Sequence, residues 1–139
     1  MVLPAGMCQM ARMIIFLIAI GGALGAVCRY LAVIGATRVL GAGFPWGTMF
    51  VNVLGSFVMG LAVALLMDRV SGDMSRFVPL VMTGFLGGFT TFSAFSLDAY
   101  LLLERGRIGG MVLYAGGSVM VSILALIAGI ALARMGGGV

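Results

Sequence analysis

Apolar residues fall into four long blocks along the chain, at residues 13–34, 48–67, 77–103 and 111–133. Crossing the hydrocarbon core of a bilayer takes about 20 apolar residues in helical form, and each block reaches that length. The pattern predicts an all-α membrane protein: four transmembrane helices forming a single domain over residues 1–139, with no separate soluble domain. The first connection, 35–45, carries Gly41, Gly43 and Pro45 as breakers. Trp46 follows where interfacial aromatics belong. Residues 68–76 form a charged link, and residues 104–110 join the last two spans. The tail Gly136-Gly137-Gly138 reads as disordered, and no internal repeat is visible. Arg12 followed by Met13–Ile20 imitates a signal peptide, but hydrophobicity continues to Ile34. That is too long for a signal's apolar core, so an uncleaved first span is expected.

The third block departs from a plain span. It contains Gly84-Phe85-Leu86-Gly87-Gly88-Phe89-Thr90-Thr91-Phe92-Ser93-Ala94-Phe95, with clustered glycines and then hydroxyls threaded between phenylalanines. The block is also longer than a simple crossing needs. Both features predict a broken third helix. Irregular backbone at membrane depth is tolerated only where protein or a water-filled path satisfies its polar groups. Discontinuous spans are therefore where ions and substrates usually bind.

Hydrophobic residues make up 63% of the 139 positions and charged residues 9%, which no soluble domain of this size needs. The formal charge of +4 comes from eight arginines against four acids, with neither lysine nor histidine. The arginines are scattered over loops and helix ends, where they meet lipid headgroups. With no basic patch, nucleic acid is not a partner. Four spans put Arg12, Arg69, Arg76 and Arg134 on one side of the membrane. Arg38, Arg105 and Arg107 lie on the other, joined by Arg29 if it snorkels outward. Orientation normally follows an excess of positive residues on the cytoplasmic side. The even split leaves two readings open. One is a weak bias hidden by uncertain boundaries. The other is dual topology, with the chain inserting both ways and pairing as an antiparallel homodimer. Four thin helices enclose no pore, so an oligomer is expected, and Gly21-x-x-x-Gly25 permits close helix contact in lipid. Cys8 and Cys28 are twenty residues apart. On one helix rising about 1.5 Å per residue they cannot meet within a subunit. The cysteines show neither metal spacing nor a disulfide framework.

Polar groups inside the membrane are costly and tend to be functional. Asn52 stands in an apolar span, with Ser56 four residues on and so on the same helix face. It either lines a pathway or makes an interhelical hydrogen bond. Tyr114, Ser118 and Ser122 follow one another at four-residue intervals, along one face of the fourth span. They form a hydrophilic track, unless the serines bond back to their own helix. Thr90, Thr91, Ser93 and Ser96 add hydroxyls near the break. Phe92 and Phe95 either pack against lipid and core or direct their partly positive edges at an anion. Arg29 snorkels to an interface or supplies positive charge to a vestibule. Asp98, near the end of the third block, is the one acid within a span and fits an interfacial position. No nucleophile–base pair, phosphate loop or metal cluster is present, so an enzyme is not expected.

These residues together resemble the CrcB/Fluc fluoride channel family. The resemblance rests on Gly21–Tyr30, Gly47–Phe57, Gly84–Phe95 and the Tyr114/Ser118/Ser122 line, which occur in the family's order and cover all four spans. It implies a fluoride-specific channel for passive export of cytoplasmic fluoride, in the bacterial inner membrane. It implies a dual-topology antiparallel homodimer with two pores and a structural sodium ion at its centre. The sodium would be held by the backbone carbonyls of Gly87 and Thr90. Carried over by position, Asn52, Thr91, Phe92, Ser93, Phe95, Tyr114, Ser118 and Ser122 line the fluoride pore, and Arg29 sits near the vestibule. Ala94 stands where the family often has Ser or Thr. Two rivals remain: a small multidrug/proton antiporter, and an assembly subunit without transport. The antiporter needs a titratable carboxylate at membrane depth, which the first span lacks.

Overall fold

The computed structural model describes residues 5–67 and 77–136. The charged link 68–76, with Arg69 and Arg76 of the arginine count, lies outside the described residues, as do Gly137, Gly138 and the Cys8 side chain. Among the described residues every regular element is helical. Helix α1 runs Ala5–Leu40. Helix α2 runs Trp46–Ala62 and continues through a π-helical turn, Val63–Met67. The third span opens with a π-helical stretch, Leu80–Leu86, and a short α3, Gly87–Phe89. It resumes as α4, Phe92–Glu104, and α5 covers Ile108–Met135. Among the described residues four helices are long and apolar enough to cross a membrane: Gln9–Leu40, Trp46–Leu66, Leu80–Glu104 and Ile108–Met135.

The helices run further than the apolar blocks. Helix α1, with 36 residues, is about 54 Å long at ~1.5 Å per residue. Its first turns carry Ala, Met, Gln and Arg, good helix formers, besides Gly6 and Cys8. Gly35 stays helical, and the chain turns only at Gly41, whose φ is +82°. The Gly41 N–H closes on the Thr37 carbonyl at 2.9 Å, a left-handed C-terminal cap. The expected loop 35–45 shrinks accordingly to 41–45. The expected connection 104–110 shrinks to 105–107. Gly106 takes φ +70° there, its N–H bonds to Leu103, and the Arg107 N–H bonds to Leu102, each at 2.9 Å. That pair of bonds is a Schellman cap, which satisfies two carbonyls left over by α4. The Arg107 guanidinium then donates to the Gly43 carbonyl and ties the two loops of this end together.

Two helix pairings form the bundle: α1 against the first half of the third span, and α2 against α5. Both rest on absent side chains. A methyl placed on Gly21 or Gly25 would fall on the backbone of Leu80 or Phe85. One on Gly84 would lie 2.9 Å from the Ile18 carbonyl, and one on Gly88 2.5 Å from that of Gly22. Glycines from both helices thus share one contact, at four-residue spacing on each. Gly60 and Gly129 do the same between α2 and α5. In lipid no hydrophobic force drives helices together, so close backbone approach and the dispersion it permits carry the association.

Gly84, Gly87 and Gly88, whose clustering suggested an irregular backbone, all lie in helical segments. Extended backbone falls instead on two threonines, Thr90 (φ −82°, ψ 155°) and Thr91 (φ −153°, ψ 117°). Two glycines of that cluster, Gly84 and Gly88, serve proximity to α1.

Candidate functional site

Thr90 and Thr91 face α2 and α5 across an open groove of about 350 Å³. Asn52, Gly55, Ser56, Thr90, Thr91, Phe92, Phe95, Ser118 and Ser122 all contribute to its lining, with Met59, Val119, Ile123 and Leu126 as its apolar part. Among the described residues the lining includes no charged side chain. Thr90 and Thr91 come from the extended break, and the other polar members are delivered by helix faces. Asn52 and Ser56 are one turn apart on α2, and Ser118 and Ser122 one turn apart on α5. Gly55 makes room between these faces, since a methyl there would strike the Thr90 side chain.

Much of the local polar chemistry is already committed. The Thr91 N–H donates to Asn52 Oδ1 at 2.8 Å, and Asn52 Nδ2 donates to the Thr91 carbonyl at 3.1 Å. Thr91 Oγ1 accepts from the Ala94 N–H at 3.2 Å, capping α4, and lies 3.2 Å from the Ser93 hydroxyl. Thr90 Oγ1 bonds back to the Leu86 carbonyl at 2.9 Å, and Ser96 to that of Phe92 at 2.9 Å. Ser118 differs. It is 3% exposed and its hydroxyl has no hydrogen-bond partner. A buried hydroxyl without a partner costs about 1–3 kcal/mol, and this one belongs to the groove lining.

Phe92, Phe95, Tyr114, Phe44 and Trp46 form one connected aromatic array. The Phe92 and Phe95 rings lie 5.5 Å apart, and Phe95 packs on Tyr114 at 5.3 Å. Tyr114 is fully buried and meets Phe44 edge-on at 5.6 Å. Phe92, by contrast, is 78% exposed. Tyr114 does not line the groove. Its hydroxyl donates to Asp98 Oδ2 at 3.3 Å. Asp98 belongs to a second cavity of about 230 Å³ with Thr37, Thr48, Gly43 and Arg105, at the end of the α1–α2 loop. Tyr114 thus touches one cavity through Phe95 and the other through Asp98.

The structure gathers Asn52, Thr91, Phe92, Phe95, Ser118 and Ser122 in one place, with Ser93 beside Thr91. Arg29, half-buried on α1, lines neither cavity. Gly87 is exposed on α3 and likewise lines neither, whereas Thr90 lines the groove. Sequence reasoning did not single out Thr48 or Gly55 and left Ser56 without a role. Thr48, Asn52 and Ser56 repeat at four-residue intervals on α2, as Tyr114, Ser118 and Ser122 do on α5. The same spacing signal was therefore available for both helices.

Comparison with known proteins extends this geometry. The family model described as CrcB-like protein, Camphor Resistance (CrcB), matches residues 16–130. A protein of Cereibacter sphaeroides named fluoride-specific ion channel FluC is 53% identical over 117 residues, covering 84% of this chain and 91% of the relative. A protein of the same name from Agrobacterium fabrum is 51% identical over 120 residues, 86% and 95% of the two chains. One from Rhizobium etli is 50% identical over 119 residues, 86% and 94% of the two chains.

Proposed function

The chain belongs to the CrcB family and is a multi-pass bacterial membrane protein, and from that premise we propose that it is a fluoride-specific ion channel of the inner membrane. The whole chain then acts as one transmembrane domain, and fluoride leaves the cytoplasm passively. The observation that carries the reading is the groove itself, an uncharged membrane-depth lining of hydroxyls, one carboxamide and two phenylalanines. Fluoride is small and holds its water tightly, so a path must replace that water with fixed donors. It must also bind weakly enough for the ion to leave. Ser118 offers a buried hydroxyl that is free to donate. Ser122 and the Phe92 and Phe95 edges extend the row of positive partial charge, while Tyr114 closes one end beside Asp98. Arg29 lies outside this row, and its proposed part is the vestibule.

The groove is open on one side and Phe92 stands outside the fold. A second copy of the chain in antiparallel orientation would cover both, giving a dual-topology homodimer with two pores. The third span acts as a helix broken at Thr90-Thr91. In an unbroken helix the Gly87 carbonyl would accept the Thr91 N–H, and that N–H is committed to Asn52. Gly87 and Thr90 thus offer backbone oxygens, hard ligands that fit a sodium ion without any carboxylate. The sodium would serve as a fixed charge joining two subunits.

Efflux from liposomes tests the reading. Vesicles loaded with fluoride should empty far faster than empty-bilayer controls, and chloride-loaded vesicles should not. A folded dimer in sodium buffer that releases no fluoride overturns it. Asp98→Asn keeps an oxygen for the Tyr114 hydroxyl and should retain efflux, whereas a proton-coupled carrier would lose it.

A further inference from the structure

Asn52 makes two hydrogen bonds to a single residue 39 positions away. Its Oδ1 takes the Thr91 N–H and its Nδ2 feeds the Thr91 carbonyl. This is the two-point pairing that opposite residues make in an antiparallel strand pair, built here from one side chain. One residue earlier the helical ladder makes its last bond, the Thr90 N–H reaching the Leu86 carbonyl at 3.0 Å, while Thr90 itself already turns to extended backbone. At Thr91 the next helical bond, to Gly87, is replaced by the bond to Asn52. The first helical bond that goes missing is the one whose N–H Asn52 takes.

The carboxamide has limited capacity. It carries two N–H donors and one carbonyl oxygen. The pairing with Thr91 takes one donor and occupies the oxygen, leaving one N–H for anything in the groove. A side chain serving only as an ion ligand would keep both donors free.

We infer that Asn52 is a positioning residue that holds the third span open, by taking the place of the Gly87–Thr91 helical bond. This rests on the channel reading of the groove and adds the residue that sets its shape. Without Asn52, the Thr91 N–H has its ordinary helical partner four residues back. The extended threonine then folds into the helix, withdrawing the Gly87 carbonyl and turning the Thr91 side chain away from Ser93.

The test is the backbone conformation of Thr91 in the full-length protein, reconstituted in lipid with threonine labelled by ¹³C and ¹⁵N. The Thr90-Thr91 pair identifies its own signals. In the wild type, the Thr91 Cα and Cβ shifts should be those of extended backbone. In Asn52→Ala they should move to the helical range, with loss of fluoride efflux. Extended shifts that persist in Asn52→Ala overturn the inference and leave Asn52 a simple lining residue. If Asn52→Ala does not fold, Asn52→Asp decides. Its carboxylate still accepts the Thr91 N–H but has no N–H to give, so Thr91 should stay extended while efflux falls. Helical shifts in Asn52→Asp also overturn the inference. The shifts do not depend on which ion crosses, so failure of the wild type to pass fluoride would be separate and recognisable.

Discussion

Ser118 is held at a cost that folding alone does not explain. Its hydroxyl is buried and unpaired, so Ser118→Ala should leave the thermal midpoint unchanged or raise it. On the proposed channel reading, the same change removes a donor to the passing anion. A hydrogen bond to a charged group is worth about 1.5–3 kcal/mol, which predicts a fall in fluoride efflux of roughly 10- to 100-fold. A large loss of stability, or unchanged efflux, would count against a ligand role. The residue types in this groove were legible in the sequence, because intramembrane Asn, Thr and Ser are few and stand out against Val, Leu and Ile. The division of labour among them was not. Thr90, Thr91 and Ser96 carry similar hydroxyls in one stretch of chain, yet each is committed to a nearby backbone group. Ser118 is the exception only because of what surrounds it. Asn52 meets Thr91 through tertiary packing of α2, which local spacing does not encode.

At the scale of elements, the four spans were legible because apolar length is a strong signal. The roles of the glycines were not. A missing Cβ can free the backbone or admit a neighbour, and only the position of the neighbouring helix decides which. Gly25 admits Phe85, whereas Gly106 supplies a left-handed turn. The two should respond differently to substitution. Gly106→Ala forces an L-residue into positive φ, with open space around it, and should cost about 1–2 kcal/mol. Gly25→Val presses a branched side chain on backbone that cannot rotate away. Overpacking of this kind costs about 1–3 kcal/mol or more and should separate α1 from the third span. Thermal unfolding in detergent should rank Gly25→Val well below Gly106→Ala. The reverse order would mean that the α1 contact is looser than described.

At the scale of the whole molecule, the proposed dual topology has a direct readout. Gly109 lies at the start of α5 in open space, so a cysteine there disturbs little. In a Cys8→Ser, Cys28→Ser background, Gly109→Cys should react with a membrane-impermeant maleimide on intact cells to about half of its total, as the proposed insertion in both orientations predicts. Full labelling or none means a single orientation and would end the antiparallel proposal. The free thiol of Cys28, exposed on α1, makes the background substitutions necessary.

The two extended threonines have an electrostatic consequence as well. The half of the third span before them ends in carbonyls, and α4 after them begins with amides. Each helix end carries a partial charge of roughly half a unit, negative for the first and positive for the second. Opposite poles therefore sit within two residues of each other and cancel at a distance, while each remains strong at contact. The interruption makes a short-range field with no net charge and no long-range reach. Bulk salt screens fields that extend over about a Debye length, so ion preference set at this point should hardly change with ionic strength.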